Sequence, residues 1–244
     1  MISTEPAGTT WPELADRLAA ALHPLAAPVA ITFLDAMPED IPAFDAPMPE
    51  PTPDGRTGRV AAGCVFWMHA PDRTFTTVAA DHANCSVGSY THGLLSLEQA
   101  ATHADIAALV ESGWVTPEVF PTIPAVTRRP AAIVYGPLAE TRDPSVVLLR
   151  LNAQAMMVMT DALPELRIEG KPQCHIIAVA HEQHRVAASV GCALSRARTG
   201  MGANALTCAI PASMAADVTE RVERAAGVDA GVARYAAADA QRFR

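Results

Sequence analysis

Six prolines fall within a single short stretch, at positions 38, 42, 47, 49, 51 and 53. Proline lacks an amide proton and fixes its own φ, so this stretch can neither continue a helix nor pair inside a sheet. It is expected to run as an extended loop over a surface. What precedes it is too little to hold a core: one helix and one strand. The helix opens on a capping box of Thr10 and Glu13, carries Pro12 in its first turn, and aligns Leu14, Leu18 and Leu22 before Pro24 stops it. The strand is the short apolar, β-branched run from Pro28 to Leu34. Both need partners beyond residue 54. The loop therefore lies inside a domain, and residues 1–244 are read as one.

The later elements follow from the same signals. A Thr- and Val-rich run at 74–80 reads as a strand, and a second capping box, Ser96 with Gln99, opens a helix to Glu111 that Gly113 ends. Strands are expected at 130–135, 145–151 and 185–190, with a helix from Asn152 to Leu163. A last helix starts near Pro211 and ends at Gly227, and an Ala-rich tail completes a helical segment over 211–244. Helices and strands intermingle without strict alternation, which indicates an α+β domain with a mixed sheet and packed helices. An internal echo adds a pseudo-twofold duplication to that expectation. Pro28-Val29-Ala30-Ile31 returns as Pro130-Ala131-Ala132-Ile133. Cys85 and Cys192 each stand eight residues before a glycine, Gly93 and Gly200, giving half-repeats 28–94 and 130–201.

Charge removes several functions. With 18 basic against 26 acidic residues and a single lysine, Lys171, no basic surface exists for nucleic acid. No apolar run reaches the roughly 18–20 residues that span a bilayer, and the N-terminal MISTEPAGTTWPE lacks the features of a signal peptide. A soluble, cytoplasmic protein is the expectation. Three Trp, three Tyr and six Phe, with no G-x-G-x-x-G or Walker loop, leave little for flavin, nicotinamide or nucleotide chemistry.

Five cysteines carry the functional question. An odd count without an export signal fits poorly with a disulfide framework. Related halves would bring Cys64, Cys85, Cys174 and Cys192 to one interface, where thiolates from dispersed positions can hold an iron–sulfur cluster. No C-x2-C or C-x-x-C-H run is present, however, and the same residues also read as packing cysteines among Ala and Val.

Cys64, Cys85-Ser-Val-Gly-Ser-Tyr-Thr-His-Gly-Leu, the 131–138 strand ending Gly-Pro-Leu, Asn152-Ala-Gln-Ala-Met156, Cys174 and Val190-Gly-Cys192-Ala-Leu-Ser-Arg196 come in that order. As a set they resemble the uncharacterised ArCR family, the domain of unknown function 169, from about Pro28 to Pro211. The sequence departs from the family's pattern at Asn152-Ala, where Asn-Pro is usual, and at Thr207-Cys208, where an acidic pair is commoner. Cys208 is therefore left out of the site. The resemblance implies a shared metal site on Cys64, Cys85, Cys192 and Cys174, most naturally a 4Fe–4S cluster, and fixes no reaction. Three thiolates would leave one iron open, and an open thiophilic iron suits capture of sulfur while water attacks carbon. The expected activity is a non-redox desulfidase releasing sulfide from a small thiocarbonyl substrate such as a thiohydantoin or thioamide. Two rivals stand beside it: a closed iron–sulfur or haem electron-transfer module, and a metal-free small-ligand-binding protein.

Other residues are weighed with these. His92, between Cys85 and Gly93, is a general acid–base candidate or a surface histidine. Arg196, one turn after Cys192, would clamp a substrate carboxylate or simply be solvated. Ser195, Tyr90 and Asn152 are weaker candidates for catalysis and substrate contact, and Asn152 is also a good N-cap. His181-Glu182-Gln183-His184 reads as an exposed turn rather than a zinc site, and Met156, Met157 and Met159 as helix packing. A homo-oligomer stays open as an assembly.

Overall fold

The computed structural model describes residues 8–243; residues 1–7, part of the segment read for a leader, and Arg244 lie outside the described residues. The first half runs α1 (Trp11–Leu22), β1 (Val29–Leu34), α2 (Phe66–His69), β2 (Phe75–Thr77), α3 (Ser86–Thr91), α4 (Leu97–Ala101), α5 (Ala104–Glu111) and β3 (Ala132–Pro137). The second runs β4 (Val146–Leu151), α6 (Ala153–Ala162), β5 (Arg167–Glu169), α7 (His175–Gln183), β6 (Ala187–Ser189), α8 (Ala193–Thr199), β7 (Leu206–Pro211) and α9 (Ala215–Ala240). The strands form one mixed sheet in the order β2-β3-β1-β4-β7-β6-β5. Every pairing is antiparallel except that of β5 with β6. Helices pack on both faces, so the α+β class with a mixed sheet and packed helices holds.

Alternation along the strands divides the interior. Ala30, Val147, Leu149, Cys208 and Ile210 turn to one face and pack on α1, α6 and α9. Val29, Ile31, Ile133, Tyr135, Leu148 and Ala209 turn to the other, against Phe66, Trp67 and the apolar residues of α7. A third cluster, built from α3, α4, α5 and the connection to β3, extends this second side. The period of two makes the separation sharp, since neighbours in a strand serve opposite layers.

Several local expectations change. The run at 74–80 is a strand only over Phe75–Thr77, because the Asp81 carboxylate accepts the Val78 N–H at 2.9 Å and curls 79–82 into a 3₁₀ turn. The helix opened by Ser96 breaks after Ala101, where the Thr102 hydroxyl donates to the Gln99 carbonyl at 2.8 Å, and α5 starts afresh. The last helix passes through Gly227 and ends at Ala240. Gly227 keeps a negative φ there, and an Ala-rich sequence sustains helix past an isolated glycine. Short β5, helix α7 and strand β7 were not foreseen, and the last helix starts at Ala215 because Pro211 ends β7.

The proline-rich stretch is extended, as expected, but it is not wholly superficial. Thr76 N–H donates to the Pro42 carbonyl and Phe44 N–H to the Thr76 carbonyl, both at 2.8 Å, so the stretch lies along the edge strand β2. Phe44 is buried there against Phe66 and Phe75.

The two tetrapeptides that suggested a duplication start strands β1 and β3, which pair directly with each other. The order of elements does not repeat either: α6 and β5 stand between β4 and the helix that follows Cys174, and α4 and α5 between the Cys85 helix and β3, so the duplication is not confirmed.

Candidate functional site

All four cysteines of interest stand at helix starts, which explains much of the local sequence. Cys64 lies in the 3₁₀ turn Gly63–Val65 that leads into α2, and Cys174 immediately precedes α7. Cys85 and Cys192 are the N-caps of α3 and α8. Each has an extended backbone and a sulfur that accepts an amide proton three residues on, from Gly88 and Ser195 respectively, both at 3.4 Å. Sulfur thus takes the place of the usual Ser, Thr or Asp oxygen at an N-cap. The glycine eight residues later ends each helix: Gly93 and Gly200 both have φ near +70°, and a Cβ at Gly93 would meet the Val126 carbonyl at 2.7 Å.

These helix starts pack together, α3 and α8 each against the 63–65 turn and α3 against α7. The thiols lie in one another's fields. Burial pushes Cys64 up to about 12, and Cys85 and Cys192 add to the rise. Cys174 is raised well above its ordinary value by burial and then by Cys85, with Cys64 and Cys192 contributing and a hydrogen bond from Thr91 opposing. Burial also raises Cys85, against the pull of Arg198 and the Gly88 amide. All five cysteines are free. Cys208 faces the other side of the sheet, among the side chains that pack on α6 and α9.

The surroundings hold this arrangement with directed polar contacts. Asn84 receives the Gly58 N–H and donates to the Gly58 and Val60 carbonyls, anchoring the loop against the residue before Cys85. Asp105 accepts the Ser86 N–H at 3.0 Å and pairs with Arg56 at 3.0 Å. On the other side, Ser195 Oγ accepts the Cys192 N–H at 3.1 Å and lies 2.9 Å from Gln173 Oε1, linking the starts of α8 and α7.

The Ser195 hydroxyl, a candidate for catalysis in the sequence, closes a capping box and bridges to Gln173. Arg196 is also used otherwise. Its guanidinium donates to the carbonyls of Gly202, Val190 and Ala205, so it braces the backbone around α8 and leaves no free fork for a carboxylate. The Tyr90 hydroxyl donates to the Ile123 carbonyl at 3.3 Å within the α3–α5 cluster. Asn152 caps α6, accepting the Ala155 N–H at 2.8 Å, and α6 packs on the face away from the four cysteines.

His92 is no surface residue. It is fully buried, its Nδ1 donates to the Gly88 carbonyl at 2.9 Å, and burial lowers it to about 4. The 181–184 run ends α7, with His184 as a left-handed cap and Glu182 accepting from the Thr127 amide and hydroxyl. Met156 and Met159 are core residues while Met157 is exposed, as helix packing requires.

Arg198 is the residue the sequence reading passed over. It acts on both Cys64 and Cys85, and its Nη1 is buried without a partner among the described residues. Nothing in composition separates it from Arg196; only helix phase does, since positions two apart are about 200° apart around the axis.

Fold and site together define a mixed-sheet α+β protein with four thiols gathered from four helix starts on one face. The chain belongs to the uncharacterised ArCR family, whose model matches residues 17–221. No curated protein and no solved structure matches it. No helix among the described residues is long and apolar enough to cross a membrane. Nor do three or more His, Cys, Asp or Glu side chains among them form a group that could hold a metal ion.

Proposed function

We propose that Cys64, Cys85 and Cys192, with Cys174 as fourth ligand or close neighbour, hold a 4Fe–4S cluster, and that the protein releases sulfide from a small thiocarbonyl compound. The observation that carries this reading is the meeting of four free thiols at four helix starts. A polynuclear cluster takes one thiolate at each of several irons, so thiols from four separate helix starts can serve it. The donor set also suits it chemically. Amide protons already point at two of the sulfurs, and the Arg198 cation lies by Cys64 and Cys85. Each raised thiol must give up its proton to bind metal, so assembly would release protons and weaken in acid.

When bound, such a cluster supplies a thiophilic iron for the departing sulfur. The chain's own residues would do the rest. His92 is neutral, and with Nδ1 committed to Gly88 its Nε2 lone pair is free to accept a proton from the attacking water. Water oxygen replaces sulfur at the carbon, hydrogen sulfide leaves, and no electron is gained or lost overall. Cys174, as fourth ligand or close neighbour, decides between a closed and an open site.

The test is an oxygen-free preparation analysed for iron, acid-labile sulfide and visible absorption, followed by single Cys→Ser variants. About four irons per chain are expected. Loss of iron at positions 64, 85 and 192 with retention at 174, together with sulfide release from 2-thiohydantoin, supports the open desulfidase. A requirement for all four cysteines turns the reading to a closed electron-transfer centre. A folded, colourless, iron-free protein removes both.

A further inference from the structure

Beside the cysteines lies a second group of side chains that the cluster does not use. Trp67, His82, His92 and Tyr135 are each at most 2% exposed, and each carries a polar atom with no partner among the described residues. Their rings are contiguous: His82 and His92 have centroids 5.9 Å apart, Trp67 lies 6.5 Å from His92, and Tyr135 lies 6.3 Å from His82. Native proteins rarely leave one such group unsatisfied in the interior, and four in one neighbourhood call for an occupant.

The hydrogen bonds they do make determine what each one offers. Thr77 donates its hydroxyl proton to the Ile133 carbonyl, so His82 Nε2–H must donate to Thr77 Oγ1 at 3.0 Å, leaving Nδ1 a bare acceptor. His92 donates through Nδ1 to Gly88, leaving Nε2 a bare acceptor. Trp67 Nε1–H and Tyr135 O–H are unused donors. The group adjoins the thiols: a Cβ on Gly63, the residue before Cys64, would stand 2.9 Å from His82 Nδ1, and Tyr135 lies within the fields of Cys64 and Cys174.

We propose that Trp67, Tyr135, His82 and His92 form the binding site for a small neutral ring bearing N–H groups next to C=O or C=S, its carbonyl or thiocarbonyl taking the two donors, one N–H taking His82 Nδ1, and His92 Nε2 left to the attacking water. The choice of ring rests on the desulfidase reading; the pattern of two donors and two acceptors does not. Gly63 has no side chain because His82 already fills that space.

The test is calorimetric binding of hydantoin, 2-thiohydantoin and 1,3-dimethylhydantoin to the anaerobically purified protein, with iron measured on the same samples. Hydantoin and 2-thiohydantoin should bind, and the dimethyl compound, lacking N–H, at least tenfold more weakly. Trp67→Phe and Tyr135→Phe should keep wild-type iron content and thermal stability while weakening hydantoin at least tenfold. Equal binding by both variants, or by the dimethyl compound, overturns the proposal, as does a wild-type protein that binds none of the three. Loss of iron or of folding in both variants also overturns it, by making these residues structural. The expected hydantoin pattern in iron-free protein would uphold the binding site and discard the cluster.

Discussion

Histidine 92 shows what burial does to a single titratable group in this core. Its pKa, lowered to about 4 by desolvation against an unfolded value near 6.5, means that between those limits the unfolded chain binds a proton that the folded chain refuses. The stability it contributes is complete above pH 6.5 and is lost as pH falls toward 4. His82 is shifted in the same direction by burial, with His92 adding to the effect. Unfolding free energy from urea titrations should therefore fall, as pH falls across this window, by about 1.4 kcal/mol per unit for His92, with His82 acting in the same direction. His92→Gln should flatten the dependence by about that amount. Parallel curves for wild type and variant would show that His92 does not titrate on unfolding. Little of this was legible in the sequence. His92 was noticed for its place beside Cys85, but burial is a tertiary property, and a histidine near a helix end gives no sign of it. His82 drew no notice for the same reason. Arg196 and Arg198 illustrate the point from the other side, since the more conspicuous arginine braces carbonyls and its neighbour faces the thiols.

Helix termini were the most readable elements, because their signals are local. Thr10 with Glu13 and Ser96 with Gln99 form the capping boxes that their spacing announces. The eight-residue step from cysteine to glycine also acquires a physical meaning: an N-cap sulfur, one or two turns of helix, and a left-handed stop. The four cysteines could be placed on elements in this way, but not brought together. Their meeting depends on α3, α7, α8 and the 63–65 turn packing on one face of the sheet, and no spacing encodes it. Asn152 separates the two kinds of information. Its side chain accepts the Ala155 N–H at 2.8 Å as a plain N-cap on the far face. Asn152→Ala should cost about 1 kcal/mol in chemical denaturation and leave iron content and ligand binding unchanged. A loss of binding at unchanged stability would instead restore Asn152 to the site.

At the scale of the whole molecule the sheet divides labour between its faces. One side carries α1, α6 and α9 over an apolar layer that includes Cys208, whose thiol is pushed up to about 12 by burial alone. The other carries the four thiols and the unpartnered polar groups, which a marginally stable fold can tolerate only if the first side is well packed. The contribution of α9 to that packing is confined to its beginning. Ala215, Val218, Thr219 and Val222 are buried, Arg17 pairs with Glu223 at 2.7 Å, and Arg221 pairs with Glu165 at 2.9 Å. Beyond Gly227 the helix turns its apolar side chains to solvent, with Val228, Val232 and Tyr235 all more than half exposed. Surface helix without buried contacts adds little to global stability, because its backbone bonds only balance the entropy of ordering it. A chain ending at Ala230 should therefore melt within a few degrees of the full-length protein and keep its iron. Val218→Ala in the full-length chain, which empties a fully buried site, should instead lower stability by about 1–3 kcal/mol. If the truncation proved as damaging as the cavity, the exposed half of α9 would have to be packed against something, and comparing the oligomeric state of the two chain lengths in solution would show whether that is a second copy.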